Sequence, residues 1–294
     1  MFKGAIVAIV TPFKEGRVDE EALRALIEWQ IINGTDGIVP CGTTGESATL
    51  SHEEHDRVIE ITIDAVRKRV PVIAGTGSNS TAEAIRLTRH AYDAGADGVL
   101  VVCPYYNRPT QEGMYQHFKE IAFQVPIPVV LYNVPGRTGV NLLPETVVRL
   151  ASVPNIVGIK EASGSLKQIM DLIHLCPPDF YVLSGDDFIA LPILCLGGKG
   201  VISVASNVVP ADMAAMIDAY QAGNLTKARE MHYRMLSLMD VLFIETNPIP
   251  VKSALAMLGM INDELRLPLS NLSSGNEQKL RNILIGYGLL PKKE

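Results

Sequence analysis

The chain has 294 residues, of which 47% are hydrophobic and 20% are charged, proportions that are ordinary for a globular protein able to bury one large core. Its formal net charge of −6 at pH 7 supplies no basic surface to offset phosphate repulsion, which argues against a nucleic-acid partner. The four cysteines are scattered without a C-x-x-C pair, a pattern typical of reduced thiols in a cytosolic protein.

The first apolar run, at 5–10, is too short for a membrane span or a signal-peptide core, so we predict a strand there. Similar β-branched runs recur at spacings of roughly 20 to 35 residues, and most precede a helical stretch, as in successive βαβ units. The runs begin near Ala5, Gly37, Pro71, Gly98, Pro128, Ile156, Tyr181 and Gly200. Eight alternations predict an α/β fold, a closed (β/α)8 barrel, with an open doubly wound sheet as the alternative.

Capping residues mark several helix boundaries. The S-x-x-E sequences at 51–54 and 80–83 match the capping box, in which two side chains satisfy free backbone amides at a helix start. Gly34 and Gly95 stand where a left-handed C-cap is expected, each shortly before the next strand.

The alternation of strands and helices ends near Asn224. This change predicts a catalytic barrel over residues 1–224 and a small all-helical C-terminal domain over residues 225–294. Helical patterns in the second part cover 225–243, 250–260 and 276–286.

The sixth predicted strand ends on a lysine, Lys160, in the sequence NIVGIKEASG. In (β/α)8 barrels the chemistry lies at the C-terminal ends of the strands. Burial beside Ile156, Val157 and Ile159 is expected to lower the pKa of this lysine, because burial penalises the charged form. A neutral amine can form a Schiff base with a ketone, which lets a neighbouring carbon–hydrogen bond break. The alternative is a lysine whose stem covers apolar surface while its head reaches water.

The preceding strand ends on Tyr132, in the sequence VVLYNVPGRTG. Adjacent strands lie about 4.8 Å apart, so we expect Tyr132 and Lys160 to face the same barrel mouth side by side. A phenol in that position is a plausible acid and base for the proton transfers of Schiff-base chemistry.

The second strand ends in the glycine-rich sequence CGTTGES. Its two glycines let backbone amides approach a ligand, and Thr43 and Thr44 add hydroxyl groups, which suggests a carboxylate cradle. The alternative is an ordinary turn between a strand and a helix. The seventh strand ends in SGDD, and its two acids argue against a phosphorylated substrate. No dinucleotide fingerprint or P-loop sequence occurs.

Three of these sequences, GTTGES, YNVPGRTG and GIKEASG, occur in the order and at the strand ends typical of one family. The chain resembles the dihydrodipicolinate synthase and N-acetylneuraminate lyase family of pyruvate-dependent class I aldolases, from about Phe2 to Lys252. The resemblance implies a Schiff-base lyase without a metal or cofactor, because the substrate pyruvate is bound covalently to Lys160. It also implies condensation with L-aspartate 4-semialdehyde, in the synthesis of diaminopimelate and L-lysine.

The resemblance implies four catalytic residues. Lys160 would hold pyruvate as the Schiff base and Tyr132 would donate and accept protons, with Thr43 and Tyr106 completing a proton relay. In the family the second tyrosine of PYYNRPT, here Tyr106, reaches across a tight dimer interface into the neighbouring site. The usual assembly implied is a homotetramer, a dimer of dimers.

Four further residues would bind the substrates. Thr44 and the backbone around Ile202 would hold the pyruvate carboxylate, and Gly185 would line the pocket. Arg137 would clamp the carboxylate of aspartate semialdehyde, since an arginine fork suits bidentate recognition of a carboxylate. The alternative for Arg137 is a solvated side chain in a Pro/Gly turn.

The sequence HEEHD places His52 and His55 in the first turn of a predicted helix, and Glu83 lies in the first turn of the next one. The simplest interpretation is a capping glutamate with two histidines on a solvated helix end. A metal site is disfavoured, because the spacing is not that of a zincin and no third ligand is evident. The resemblance implies instead an effector site for L-lysine at the dimer interface. That site would comprise Ser47, Ala48, Leu50, His52, His55, Asn79, Glu83 and Tyr105.

Two other functions stay open at this point. A sibling aldolase would act on a sugar acid or another 2-keto acid, and Arg137 argues against it because sialic-acid lyases do not usually carry this arginine. A non-catalytic ligand-binding barrel would have kept the fold alone, and the intact set of four catalytic residues argues against it.

Overall fold

Eight parallel strands form the centre of the molecule, and the computed structural model describes residues 2–292 of the chain. The barrel strands are Gly4–Ala8, Gly37–Val39, Ile73–Gly75, Gly98–Val102, Val129–Asn133, Ile156–Glu161, Tyr181–Ser184 and Gly200–Ser203. The first strand pairs with both the second and the eighth, and a parallel bridge between Ile38 and Val72 joins the second strand to the start of the third. The sheet therefore closes on itself, so the predicted (β/α)8 barrel is confirmed and the open sheet is wrong.

Helices connect the strands and surround the barrel. They are Glu20–Ile32, His52–Val66, Thr81–Ala94, Gln111–Gln124, Pro135–Thr138, Pro144–Leu150, Leu166–Leu175, Ala190–Cys195, Pro210–Gln221, Leu225–Val241, Ile249–Met257 and Ser274–Tyr287. A short antiparallel hairpin, Phe13–Lys14 with Arg17–Val18, follows the first strand. Within residues 2–292, no helix combines the length and the apolar character needed to cross a membrane.

One of the two predicted capping boxes forms. Ser51 and Glu54 satisfy each other's backbone amides at the start of His52–Val66. Ser80 accepts a hydrogen bond from the amide of Glu83, but the Glu83 carboxylate binds other side chains, so the prediction of a reciprocal box there is wrong. Gly95 ends its helix with φ +93° as predicted, a conformation that glycine adopts without steric penalty.

Two apolar layers hold the barrel together. An inner cluster fills its centre with side chains of the strands and of two residues next to them, Phe2 and Val134; its strand members are Ile6, Ala8, Val39, Ile73, Leu100, Val130, Tyr132, Leu183 and Ile202. Side chains that point outward pack against the surrounding helices in a second, larger cluster. Strands covered on both faces are apolar at nearly every position, which is why the sequence shows continuous runs instead of alternation.

The C-terminal helices extend this outer layer. Leu225–Val241 packs on Pro210–Gln221, and Ser274–Tyr287 packs on both Leu225–Val241 and Ile249–Met257. The three helices predicted here form within three residues of the expected bounds. The division into domains at residue 224 stays a prediction.

An irregularity between two strands sets the register of the barrel mouth. Val129 pairs with Ile156, but Val130 pairs with Gly158, so the sixth strand carries one extra residue, Val157. The extra residue shifts the remaining pairs by one position. As a result Tyr132 lies directly opposite Lys160.

Candidate active site

Lys160 and Tyr132 occupy paired positions at the ends of adjacent strands. The Lys160 Nζ atom lies 4.3 Å from the centroid of the Tyr132 ring. Both residues are buried, with 6% and 7% of their surfaces exposed. The structure thus brings together the two residues that the sequence assigned to Schiff-base and proton-transfer chemistry.

Two carboxyl groups follow the neighbouring seventh strand. Burial raises the pKa of Asp186 to about 6, although the charge of Lys160 opposes this rise. Burial also raises the pKa of Asp187, whose Oδ2 accepts hydrogen bonds from the amides of Val204 and Ala205 at 3.1 and 2.8 Å. These acids are therefore desolvated groups inside the site and not a solvated surface pair.

The glycine-rich loop lies against the start of the C-terminal helices. Thr44 is buried, and its Oγ1 accepts a hydrogen bond from Nδ2 of Asn247 at 3.1 Å. A Cβ atom on Gly75 would lie 2.2 Å from the carbonyl oxygen of Cys41, so the third strand can approach this loop only with glycine there. A Cβ atom on Gly185 would lie 2.5 Å from the Cβ atom of Ala162.

A cavity of about 480 Å³ opens beside the loop, and the last residues of the third and fourth strands, Gly75 and Val102, also line it. Thr43 and Arg137 line it, together with seven of the eight predicted effector residues; Asn79 is absent from the lining. The guanidinium of Arg137 donates from Nη2 to the carbonyl oxygen of Asn247 at 3.0 Å. Lys160 and Tyr132 lie outside this lining, as do Thr44, Tyr106, Gly185 and Ile202.

Two of the predicted effector residues, His52 and Glu83, are hydrogen-bonded to each other on the cavity wall. His52 Nε2 donates to Glu83 Oε1 at 2.8 Å, and Ser78 also donates to the Glu83 carboxylate. The hydrogen bonds from Ser78 and His52 lower the pKa of Glu83, so it is a carboxylate at neutral pH. The side chain of Asn107 donates to the carbonyl oxygen of Asn79 at 2.9 Å.

His55 differs from the simple expectation of a solvated histidine. Its side chain is buried, and Nε2 donates to the carbonyl oxygen of Gly75 at 2.9 Å. Burial lowers the pKa of His55 to about 4, so the ring is neutral at physiological pH. The interpretation of both histidines as a solvated helix end is therefore wrong for His55, while His52 is partly exposed.

The two tyrosines of the PYYNRPT sequence lie at the surface of the chain. Tyr106 is 90% exposed and has a left-handed backbone with φ +71°, and Tyr105 is 39% exposed. Within the chain, Tyr106 therefore does not lie in the barrel site beside the buried Tyr132.

Sequence reasoning missed a buried ion pair behind the loop. Lys252 Nζ binds Glu46 Oε1 at 2.5 Å, and both side chains are almost completely buried. Glu46 also accepts from the amide of Arg266 at 3.1 Å, and the Lys252 Nζ lies 4.2 Å from the centre of the Phe13 ring. The sequence assigned Lys252 only to a helix, because its partner is 206 residues away and no local pattern connects them. The available signal was the NPIPVK run, which places a lysine in an otherwise apolar helix start.

Comparisons with known proteins agree with this geometry. The model of the dihydrodipicolinate synthetase family matches residues 1–286. A 4-hydroxy-tetrahydrodipicolinate synthase of Syntrophus aciditrophicus is 72% identical over 290 residues, covering 99% of this chain and all of the relative. Among solved structures, the chloride-inhibited dihydrodipicolinate synthase of Acinetobacter baumannii complexed with pyruvate has a TM-score of 0.97 and 49% identity, covering 99% of this chain and 100% of that one. The enzyme from Cyanidioschyzon merolae with lysine bound has a TM-score of 0.96 and 45% identity, with coverage of 98% and 99%.

Proposed function

The chain belongs to the dihydrodipicolinate synthetase family, and from this premise we propose that it condenses pyruvate with L-aspartate 4-semialdehyde to form 4-hydroxy-tetrahydrodipicolinate, in the synthesis of diaminopimelate and L-lysine. The observation that carries the proposal is the pairing of Lys160 with Tyr132 at the barrel mouth. A buried amine beside a phenol is the arrangement that Schiff-base formation and proton transfer require.

The reaction begins when the Lys160 amine attacks the keto carbon of pyruvate and water leaves, which forms an iminium ion. Loss of a proton from the pyruvate methyl group gives an enamine, and its carbon attacks the aldehyde carbon of the second substrate. Tyr132 accepts and returns these protons, with Thr43 and Tyr106 as its relay. The amino group of the second substrate then attacks the iminium carbon, closes the ring and releases Lys160.

The remaining residues hold the two substrates. Thr44 and the backbone at Ile202 receive the carboxylate of pyruvate, and Gly185 lines the pocket. Arg137 receives the carboxylate of aspartate semialdehyde, since a guanidinium offers paired donors to a carboxylate. No step needs a metal or an additional cofactor, because the Schiff base itself accepts the electrons.

Borohydride trapping tests the proposal directly. We expect the protein incubated with pyruvate and borohydride to gain one reduced pyruvyl group, and peptide mapping to assign it to Lys160. The Lys160→Met variant should gain none, whereas Lys167→Met, which removes an exposed lysine seven residues later, should be labelled normally. An unlabelled parent protein, or a label on another lysine, would refute the mechanism. Turnover with a sugar acid in place of aspartate semialdehyde would favour the sibling aldolase.

We also propose that L-lysine inhibits the enzyme at the group around Glu83. The support is the shared cavity wall, the ionised Glu83 carboxylate and the related structure with lysine bound. Glu83 would pair with an ammonium group, while Asn79 and Tyr105 would hold the carboxylate of the amino acid.

Initial rates measured during an L-lysine titration test this second proposal. We expect inhibition in the parent and its loss in Glu83→Gln, which removes the charge that pairs with the ammonium group. Glu53→Gln is the matched control, because Glu53 is exposed at the start of the neighbouring helix and does not line the cavity. Parent activity that is unchanged at millimolar L-lysine would exclude the effector role.

The assembly and location follow the family in our proposal. We propose a homotetramer built from tight dimers, in which the exposed Tyr106 enters the partner's site, and a cytoplasmic location that suits the unpaired cysteines. Light scattering at several protein concentrations measures the assembly.

A further inference from the structure

Asn247 touches both substrate-binding parts of the proposed site, although neither its sequence context nor the proposed mechanism gives it a role. Its side-chain Nδ2 donates to Thr44 Oγ1 at 3.1 Å, and its backbone carbonyl oxygen accepts from Arg137 Nη2 at 3.0 Å. Asn247 is only 5% exposed and lies on the cavity wall. One residue of the C-terminal segment therefore connects the glycine-rich loop to the arginine after the fifth strand.

The direction of the hydrogen bond to Thr44 has a chemical consequence. An amide nitrogen can only donate, so the Thr44 oxygen accepts, and the hydroxyl keeps its own proton for another partner. A bound carboxylate needs donors, and a hydroxyl whose lone pair is already occupied is oriented to provide one. Asn247 Oδ1 is buried and has no hydrogen-bond partner within residues 2–292, so the contact with Thr44 is the only polar contact of this side chain there.

A second contact fixes the segment that carries Asn247. Helix Ile249–Met257 starts two residues later, and its Lys252 is joined to Glu46 by the buried ion pair. The C-terminal segment thus holds the glycine-rich loop at two points, Thr44 and Glu46. This double attachment limits how far Asn247 can move relative to Thr44.

We propose that Asn247 is a positioning residue for pyruvate, which acts by holding the Thr44 hydroxyl as a hydrogen-bond donor to the keto-acid carboxylate. The inference rests on the proposed function, because it needs pyruvate bound beside Thr44. Asn247 then has two separate roles. Its side chain orients Thr44 in the pyruvate half of the site, and its backbone carbonyl accepts from Arg137.

This separation predicts an uneven effect of side-chain removal. Asn247→Ala loses the donor to Thr44 but keeps the carbonyl that Arg137 binds. We expect the half-saturating pyruvate concentration to rise about tenfold, the size of one hydrogen bond that orients a group toward a charge. The KM for aspartate semialdehyde should stay within about twofold of the parent value, because the Arg137 contact is unchanged.

A double-mutant cycle with Thr44→Val tests whether Asn247 acts through Thr44. Borohydride trapping at increasing pyruvate concentration gives the half-saturation for the parent, Asn247→Ala, Thr44→Val and the double variant. We expect Asn247→Ala to have almost no further effect in the Thr44→Val background, since the shared interaction is already lost. Equal effects in both backgrounds, or a KM for aspartate semialdehyde that rises as much as that for pyruvate, would overturn the inference.

Two additions keep the test interpretable. If Asn247→Ala does not fold, Asn247→Ser replaces it, because the shorter serine side chain cannot reach Thr44. Asn271→Ala is the control for loss of an exposed asparagine. Absence of any adduct in the parent protein would refute the proposed function. An adduct in the parent combined with additive effects in the cycle would refute only the role of Asn247.

Discussion

At the scale of single residues, Arg137 has enough free hydrogen-bond donors to bind the carboxylate of the second substrate. A guanidinium carries five N–H donors, and within residues 2–292 the Arg137 side chain makes one hydrogen bond, to the carbonyl oxygen of Asn247. Its side chain also lines the cavity beside Thr43. The remaining donors are free to form a paired contact with a carboxylate.

Arg137→Ala should therefore weaken use of aspartate semialdehyde and leave pyruvate capture intact. We expect kcat/KM for aspartate semialdehyde to fall by about 10- to 100-fold, the range for losing charge-assisted hydrogen bonds. Steady-state kinetics with the second substrate varied, combined with borohydride trapping, measure both properties. Arg149→Ala is the control, because Arg149 is an exposed arginine paired with Glu112. An unchanged kcat/KM would exclude Arg137 as the clamp.

His117 makes folding stability depend on pH at a site remote from the chemistry. It is buried in helix Gln111–Gln124, where Nδ1 bonds with the Thr81 hydroxyl, and burial lowers its pKa from 6.5 to about 4. Between these two values the unfolded chain binds a proton that the folded chain does not. The free energy of unfolding therefore falls as pH decreases from 6.5 to 4, and the contribution of this residue is fully present above 6.5.

Replacing His117 by asparagine should remove this dependence. We expect the free energy of unfolding of the parent to lose about 2 kcal/mol more than that of His117→Asn between pH 7 and pH 5, because asparagine does not titrate. Urea unfolding at the two pH values gives the difference, and the exposed His174→Asn serves as the control. Identical pH slopes for the parent and His117→Asn would contradict the prediction.

At the scale of structural elements, the attachment of the C-terminal segment to the barrel depends on the Lys252–Glu46 ion pair. Removing one partner of a buried pair leaves the other charge without compensation, which costs about 3–5 kcal/mol. Burial already lowers the pKa of Lys252, while the Glu46 charge opposes the change. The pair joins helix Ile249–Met257 to the glycine-rich loop, so its loss affects both elements.

Lys252→Met should destabilise the protein by about 3–5 kcal/mol, measured by urea unfolding. The double variant Lys252→Met with Glu46→Gln should recover much of the loss, because no unpaired charge is left. Lys227→Met, which breaks an exposed pair with Glu230, should change stability by less than about 1 kcal/mol. A Lys252→Met protein as stable as Lys227→Met would show that the pair has no structural role.

Sequence patterns predicted the elements well where the physical signal is local. The barrel strands are short apolar runs, and the caps at Ser51 and Gly95 act through neighbouring residues, so both are visible in the sequence. The capping box at Ser80 does not form because the Glu83 carboxylate binds Ser78 and, on another helix, His52. Of these two partners, only His52 is brought close by the fold.

Other features depend on contacts that no local pattern records. The extra residue Val157 decides that Lys160 faces Tyr132, and nothing in the run NIVGIKE distinguishes it from a regular strand. Asn247 meets Thr44 across 203 residues, so its place in the site emerges only from the closed barrel. The juxtaposition of Lys160 and Tyr132 at the barrel mouth was predictable, whereas the contacts made by Val157 and Asn247 were not.

At the scale of the whole molecule, a single chain leaves one proposed catalytic residue, Tyr106, exposed to solvent. Tyr106 is 90% exposed, although the proposed relay requires it beside Tyr132. In a symmetric dimer each chain would complete its partner's site, because an isologous interface exchanges the same residue in both directions. The site would then be built from Lys160 and Tyr132 of one chain and Tyr106 of the other.

Complementation between two inactive variants tests this sharing. Lys160→Met and Tyr106→Phe should each lose about 100-fold or more in kcat, because one lacks the amine and the other a proton-transfer group. When the two are co-expressed in equal amounts, half of the dimers contain one of each, and one of their two sites is complete. Activity should therefore return to about a quarter of the parent value in a symmetric dimer.

The matched negative control is co-expression of Lys160→Met with Tyr132→Phe. These residues lie on adjacent strands of one chain, so every site in the mixed dimer lacks at least one of them and activity stays low. Recovery in the first pair and none in the second would establish that Tyr106 acts on the partner's site. Failure of the first pair to recover would mean that Tyr106 serves its own chain, and the dimer would then not be needed for catalysis.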